Sequence, residues 1–252
     1  RKIMHKERFI PIISEYSLSS ISASQKEDYE TMFPGSVYTG GTGSFNVANA
    51  SVIGDEVVTD NGYLYTINQV IEPLETIYAE MNKENSDYTQ FAKMYDRFVV
   101  YQYDEDATRD YGNGDSLFVH SHNILPPIAC EWTNFYNLST PDYAQMNYLT
   151  SVSYAVLAPD NKSINQFFQK YWSASFSSLE EVNFVPLYHF MNEHAIRYGG
   201  GMIGAYALGS YIVNNDIWDD HQLAMPTDVK VCSNGILGGM KDNVITPEVF
   251  ET

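Results

Sequence analysis

Cysteine is scarce: the 252-residue chain holds two, Cys130 and Cys232, too few for a disulfide framework. Both fall in the second half, so one bridge and two buried thiols remain open, since free cysteine packs as a small apolar residue. Basic residues are scarce as well. Fourteen Lys and Arg stand against 32 Asp and Glu, a net charge of -18. Binding to phosphate backbones needs a basic surface, so a nucleic-acid partner is excluded, and electrostatic docking on anionic lipid is disfavoured. Charged residues make up only 18% of the chain, so its polar surface leans on Asn, Ser, Thr and Tyr. No apolar run is long enough to span a bilayer, and no signal peptide is visible. The chain opens on Arg1 in mid-element, so a signal or lipid anchor would lie upstream of it, and such an anchor is the only membrane link expected. Catalytic signatures are missing too. There is no G-x-S-x-G elbow. Cys130 follows a Pro-Pro loop without a nucleophile's surroundings. Gly199-Gly200-Gly201 lacks the Lys-Ser/Thr of a phosphate loop. The expectation is a non-enzyme with no cofactor.

What is present is a real core, at 44% hydrophobic residues, and clear punctuation. Asp60 to Pro73 reads as a turn, an alternating strand and a helix-opening proline. Asn61-Gly62 has the residues of a type I′ turn, and Pro73 suits a first helical turn. Leu74, Ile77, Tyr78 and Met81 then recur at helical spacing. Asp87 predicts the N-cap of a second helix whose apolar face is Tyr88, Phe91, Met94, Tyr95 and Phe98. Val152 to Pro159 predicts a buried strand, with Asp160 or Asn161 capping a helix that buries Ile164, Phe167, Phe168, Tyr171 and Trp172. Further strands are predicted at Tyr206–Leu208 and Tyr211–Val213. Asn234-Gly235 and Pro247 repeat the first turn and proline, with Gly238-Gly239 a candidate bulge. The repetition predicts two domains of α+β class. Residues 1–80 form the C-terminal half of the first and 81–252 a nearly complete second, joined near residue 80 without a flexible linker.

Several constellations invite chemistry. His120-x-His122 places two imidazoles on one face of a strand, but no third ligand follows at matching spacing, and the reading is surface histidines with no metal. Asp104, Asp106, Asp110 and Asp115 with Asn113-Gly114 have a loose calcium-loop composition, yet the spacing of an EF-hand is not met. The expected state is a solvated loop, with calcium binding left open. Asp216, Asp219 and Asp220 beside Trp218 and His221 read as loop surface or as a carbohydrate contact. The 20 tyrosines are the most unusual feature. Tyr101, Tyr103, Tyr111, Tyr136, Tyr143 and Tyr148 are assigned to loops, where Tyr offers stiff contact area at low entropic cost.

Three motifs carry a family resemblance. Tyr154-Ala155-Val156-Leu157-Ala158-Pro159-Asp160-Asn161-Lys162-Ser163-Ile164, Leu187-Tyr188-His189 (less well Ile3-Met4-His5) and Asn61 to Pro73 (more loosely Asn234 to Pro247) resemble, in order and spacing, the motifs of the fasciclin (FAS1) domain family. Tyr65 and Asn68 stand where that family has His and Asp. The loop-rich 102–150 insertion and the acidity are similar to tandem-domain surface lipoproteins of Bacteroidetes-type bacteria. The resemblance implies a two-sheet β wedge or sandwich flanked by helices, here one complete copy plus a C-terminal half copy. It implies a non-enzymatic adhesion or binding module at the cell surface or outside the cell, periplasmic or outer-membrane-anchored if bacterial. Its partner would be a surface protein or glycan, met through Tyr101, Tyr103, Tyr111, Tyr136, Trp218 or the Tyr188-His189 pair. The alternatives are a carbohydrate-handling accessory protein or weak hydrolase using the Asp104–Asp115 or Asp216–Asp220 carboxylates, and an architectural spacer. For Tyr188-His189 a buried His bonded to backbone and bracing the core is an equal reading.

Overall fold

The computed structural model describes residues 2–3, 12–15, 29–30, 33–40, 44–72, 74–129, 153–198, 228–242 and 244–245. The chain forms two compact units, one of residues 8–74 and one of residues 1–7 with 75–252. The division lies a few residues before the position near 80 read from the sequence. Residues 1–7 join the larger unit, where strand β1 (Lys2–Ile3) pairs parallel with β7 (Leu117–His122).

The smaller unit is an antiparallel sheet in the order β2 (Ile12–Ile13), β3 (Asn46–Val47), β4 (Ala50–Thr59), β5 (Gly62–Ile67). Asn46 is fully buried and organises it. Its side-chain oxygen accepts from the Thr39 backbone N–H (2.9 Å), and its amide donates to Val37 O and the Tyr29 hydroxyl, both at 3.0 Å. A buried amide satisfied in this way costs little and fixes its neighbours. The β4–β5 hairpin differs from its expected turn. Thr59 pairs with Gly62, so Asp60 and Asn61 are the central residues, and neither they nor Gly62 has positive φ. The turn is therefore not type I′: the strands close one residue earlier than the Asn-Gly signal places them. Thr59 Oγ1 donates to Gly62 O (3.0 Å) across the closure. The left-handed glycine is instead Gly54 (φ +72°), beside the register shift between Ile53 and Val57, where a bulge needs that conformation.

Among the described residues the larger unit holds two sheets and most of the helices. Its core is built by helices α1 (Ile77–Met81), α2 (Thr89–Asp96), α4 (Asn161–Phe167) and α5 (Phe184–Glu193) on the mixed sheet β10 (Asp228–Cys232), β11 (Gly235–Met240), β8 (Ser153–Pro159), β9 (Ala195–Tyr198). The second sheet runs β1, β7, β6 (Val99–Tyr103), with α3 (Glu105–Tyr111) between β6 and β7. The α+β class follows directly. The helical periods are met closely: Tyr88, Phe91, Met94, Tyr95 and Phe98 are all buried. Each contributes on the order of 2 kcal/mol by leaving water.

The caps depart more. Helix α1 begins at Ile77, with Thr76 Oγ1 accepting from Ala79 N (3.2 Å), so Leu74 stands outside it. Asp160 caps α4 by accepting from Ser163 N (2.7 Å). Asp87 does not cap α2; the side chain of Asn161 reaches over from the start of α4 and accepts from Gln90 N (2.8 Å). Asp104 to Asp115 is not a solvated loop, because Asp104 caps α3 through Ala107 N (2.9 Å) and acidic residues fill the first turn. Gly238-Gly239 makes no bulge, since β10 and β11 pair in unbroken register. A side chain at Gly239 would meet the Tyr88 hydroxyl, and one at Gly235 (φ +150°) would lie 1.8 Å from the Tyr154 carbonyl oxygen. The predicted strands at 206–208 and 211–213, Pro73 and Pro247 lie outside the described residues.

These glycines give a paired test. Gly235→Ala is expected to destabilise by roughly 2 kcal/mol or more, through overpacking against backbone that cannot yield. Gly62→Ala, with open space around it and no positive φ, should stay within about 0.5 kcal/mol. Urea unfolding of both variants checks the contrast, and a large loss at Gly62 would restore the type I′ turn.

Candidate functional site

One face of the β6–β7 pair gathers the chain's most distinctive side chains. Residues two apart on a strand share a face, and the antiparallel register sets Tyr103 opposite Phe118, Tyr101 opposite His120 and Val99 opposite His122. The rings follow this pairing: Tyr103 and Phe118 meet edge-on at 5.7 Å, and Tyr101 and His120 lie 5.4 Å apart. Tyr101 is 40% exposed and Tyr103 54%. Both were expected in loops; they stand on a strand. Tyr111 ends helix α3 and is also exposed.

The face closes at the His122 end. His122 is only 6% exposed, with the Tyr95 ring edge-on at 4.6 Å and the Tyr78 ring at 6.0 Å. Neither ring nitrogen of His122 has a hydrogen-bond partner. Burial, and then the neighbouring His120, push its pKa down to about 3, so the imidazole is neutral around pH 7. The His120 ring lies 5.2 Å from that of His122, with Tyr78 edge-on to it at 4.9 Å.

A third polar group completes the cluster. Asp96 ends α2, and β6 starts three residues later at Val99, the partner of His122. That short turn, pinned by Asn123 N donating to Phe98 O at 2.6 Å, carries the Asp96 carboxylate alongside the two imidazoles. The potential ligand atoms of Asp96, His120 and His122 all lie within 4.8 Å of one another. The Tyr78 hydroxyl donates to Asp96 Oδ1 at 2.7 Å, and burial together with this carboxylate pushes the phenol's pKa up. The reading of His120 and His122 as surface histidines lacking a third ligand is thus corrected. His122 is buried, and the third group comes from 24 residues upstream. Sequence spacing could not show it; the alternation of Val99, Tyr101 and Tyr103 as a strand paired with β7 was the signal that would have.

The other candidates disperse. Tyr188 and His189 lie on α5. Tyr188 is half-buried with its ring 6.5 Å from Phe98, and His189 is exposed. The buried, backbone-bonded histidine is instead His194, at the end of the same helix. Its Nε2 accepts from Ile245 N (3.1 Å), so Nδ1 carries the proton and donates to Phe190 O (2.7 Å). Asp106 and Asp110 are exposed and both pair with Arg109, which with the capping role of Asp104 accounts for the calcium-like composition. A cleft of about 580 Å³ between α2, α4 and Ser178–Glu180 holds one carboxylate, Glu180, among its lining residues, where glycosidic hydrolysis uses two. Cys232 is a free, fully buried thiol whose pKa is raised chiefly by that burial. Cys130, Tyr136, Tyr143, Tyr148, Asp216 to Asp220, Trp218 and His221 lie outside the described residues. Among the described residues no helix is long and apolar enough to cross a membrane. Comparison with protein-family models, curated proteins and solved structures found no match.

The two histidines of α5 and its end separate in their effect on stability. His194→Ala removes both bonds in a buried site and should cost about 3 kcal/mol, whereas His189→Ala should remain within about 0.5 kcal/mol. Thermal and urea denaturation of the two variants measures the difference.

Proposed function

We propose that the protein is a non-enzymatic binding module of fasciclin type, acting at a cell surface or outside the cell, that meets a protein or glycan through the β6–β7 face. The observation that carries this reading is the aromatic ladder of Tyr101, Tyr103, Phe118 and His120, set on the edge strand β6 and its neighbour β7, with its tyrosines 40% and 54% exposed. Flat rings held by cross-strand contacts offer area for stacking on sugar faces or apolar side chains without further ordering cost. Helical residues around the strand-to-helix junction at Pro159 and Asp160 support the fasciclin comparison only as local structure of one motif.

A specific observation favours a protein partner at a second place. On the β4–β5 hairpin the register sets Val57 opposite Leu64 and Ile53 opposite Thr66, so Ile53, Val57 and Leu64 share one face and Val58 and Tyr63 the other, each 47% or more exposed; exposed apolar patches on strand pairs are commonly contact surfaces.

A glycan array and a pull-down with the same chain test both. Substituting Tyr101→Ser and Tyr103→Ser together should weaken ligand capture by more than about tenfold, as expected for aromatic anchors, with the circular dichroism spectrum unchanged. Capture that survives this change but is lost with Val57→Ser and Leu64→Ser, cross-strand partners on one face, moves the contact to the hairpin. Absence of any ligand rejects the binding reading in favour of a spacer.

A further inference from the structure

We propose that Asp96, His120 and His122 form a site for one divalent transition-metal ion of the zinc type, with the Tyr78 hydroxyl orienting the carboxylate. The donor set is two imidazole nitrogens and one carboxylate oxygen, which suits zinc, cobalt or nickel. Calcium and magnesium call for six or more oxygen ligands, and here a single carboxylate faces two nitrogens. The inference is independent of the partner-binding reading.

The geometry comes close to what a bound ion requires. Ligand atoms about 2.0–2.1 Å from a tetrahedral centre are about 3.4 Å apart, against separations of up to 4.8 Å here. The remaining contraction falls on groups able to make it: Asp96 is exposed at a helix end and His120 is half-buried on a strand. His122 is the fixed member. It is more than nine-tenths buried, walled by Tyr78 and Tyr95, and its two ring nitrogens are without partners. Buried polar atoms are almost always bonded, and a cation beside Asp96 and His120 supplies the partner for one of them. Tyr78 serves as a positioning residue. By donating to Oδ1 of Asp96 at 2.7 Å it fixes the orientation of the carboxylate, as outer hydrogen bonds do at metal sites. Three protein ligands leave the fourth position to water.

The test uses the untagged chain stripped with chelator. Calorimetric titration with Zn²⁺ is expected to show one saturable site, and Co²⁺ to give visible absorption of the intensity that low-coordinate nitrogen and oxygen sites produce. Zn²⁺ should raise the melting temperature, and Ca²⁺ and Mg²⁺ should not. Asp96→Asn, which keeps an acceptor for Tyr78, and His120→Asn each weaken Zn²⁺ binding by more than about tenfold, and Tyr78→Phe by about tenfold, the range of outer-sphere changes. Both ligand variants alter groups that are not fully buried, so they test the site without relying on a His122 substitution that disrupts the core. The proposal is overturned if neither Zn²⁺ nor Co²⁺ binds saturably. It is also overturned if one equivalent still binds with unchanged affinity to natively folded Asp96→Asn and His120→Asn, or if Ca²⁺ stabilises as strongly as Zn²⁺.

Discussion

The larger unit depends on the hydrogen bonds of one buried amide, Asn234. It sits in the two-residue turn between β10 and β11 and is 3% exposed. Its side-chain oxygen accepts from Ile77 N (2.9 Å), an otherwise unsatisfied donor at the start of α1, and its amide donates to Ile128 O (2.7 Å). Its own carbonyl accepts from Tyr154 N (3.0 Å), where β8 joins β11, and the adjacent Ser233 N donates to Glu75 O (2.8 Å). One residue thus joins the entry to α1, the loop before Cys130 and the central parallel strand pair. A buried amide with its donors and acceptors satisfied tolerates few alternative arrangements. The position of α1 follows from it, and with α1 the position of Tyr78. The phenol that orients Asp96 is therefore placed by a turn more than 150 residues away in sequence.

Local rules were legible and long-range ones were not. The apolar face of α2 could be read from period alone, because a helix that buries Phe91, Met94 and Tyr95 between the buried flanking Tyr88 and Phe98 leaves few other arrangements. The cap of α4 was legible to within one residue, Asp160 or Asn161, and the structure places it at Asp160, whose short acidic side chain after a strand-ending proline has the Ser163 N–H within reach. Asp104, Glu105 and Asp106 carried the same signal for α3, but Asn113-Gly114 drew the segment toward a loop. The two Asn-Gly turns share their pairing, Thr59 with Gly62 and Cys232 with Gly235, yet their surroundings are opposite. Strand β5 is largely exposed, while β11 is buried throughout and pairs on both sides. Nothing local distinguishes the two, since burial is decided by β8, about 80 residues before β11. The cluster of Asp96, His120 and His122 escaped for the same reason. It is assembled by strand register, and register is a property of two segments together.

The face formed by β6 and β7 has a gradient that relates its two ends. Along β7, Phe118 and His120 are half-buried and His122 is buried; along β6, exposure falls from Tyr103 through Tyr101 to Val99. Leu117, Val119 and Ser121, on the opposite face, are buried throughout. The sheet face therefore runs from open aromatic surface to a buried histidine covered by Tyr78 and Tyr95. The open end has room for a large, flat contact, and stacking there depends on area. The closed end brings two nitrogens and a carboxylate within 4.8 Å of one another, and there their chemistry decides. Burial in this surrounding keeps the His122 imidazole neutral, the form whose lone pair can be shared with a cation. That same surrounding makes an unpartnered ring costly to keep. The ring itself is packed by Tyr95 and Tyr78, but its two nitrogens gain nothing from that packing, and a cation shared with Asp96 and His120 would satisfy one of them.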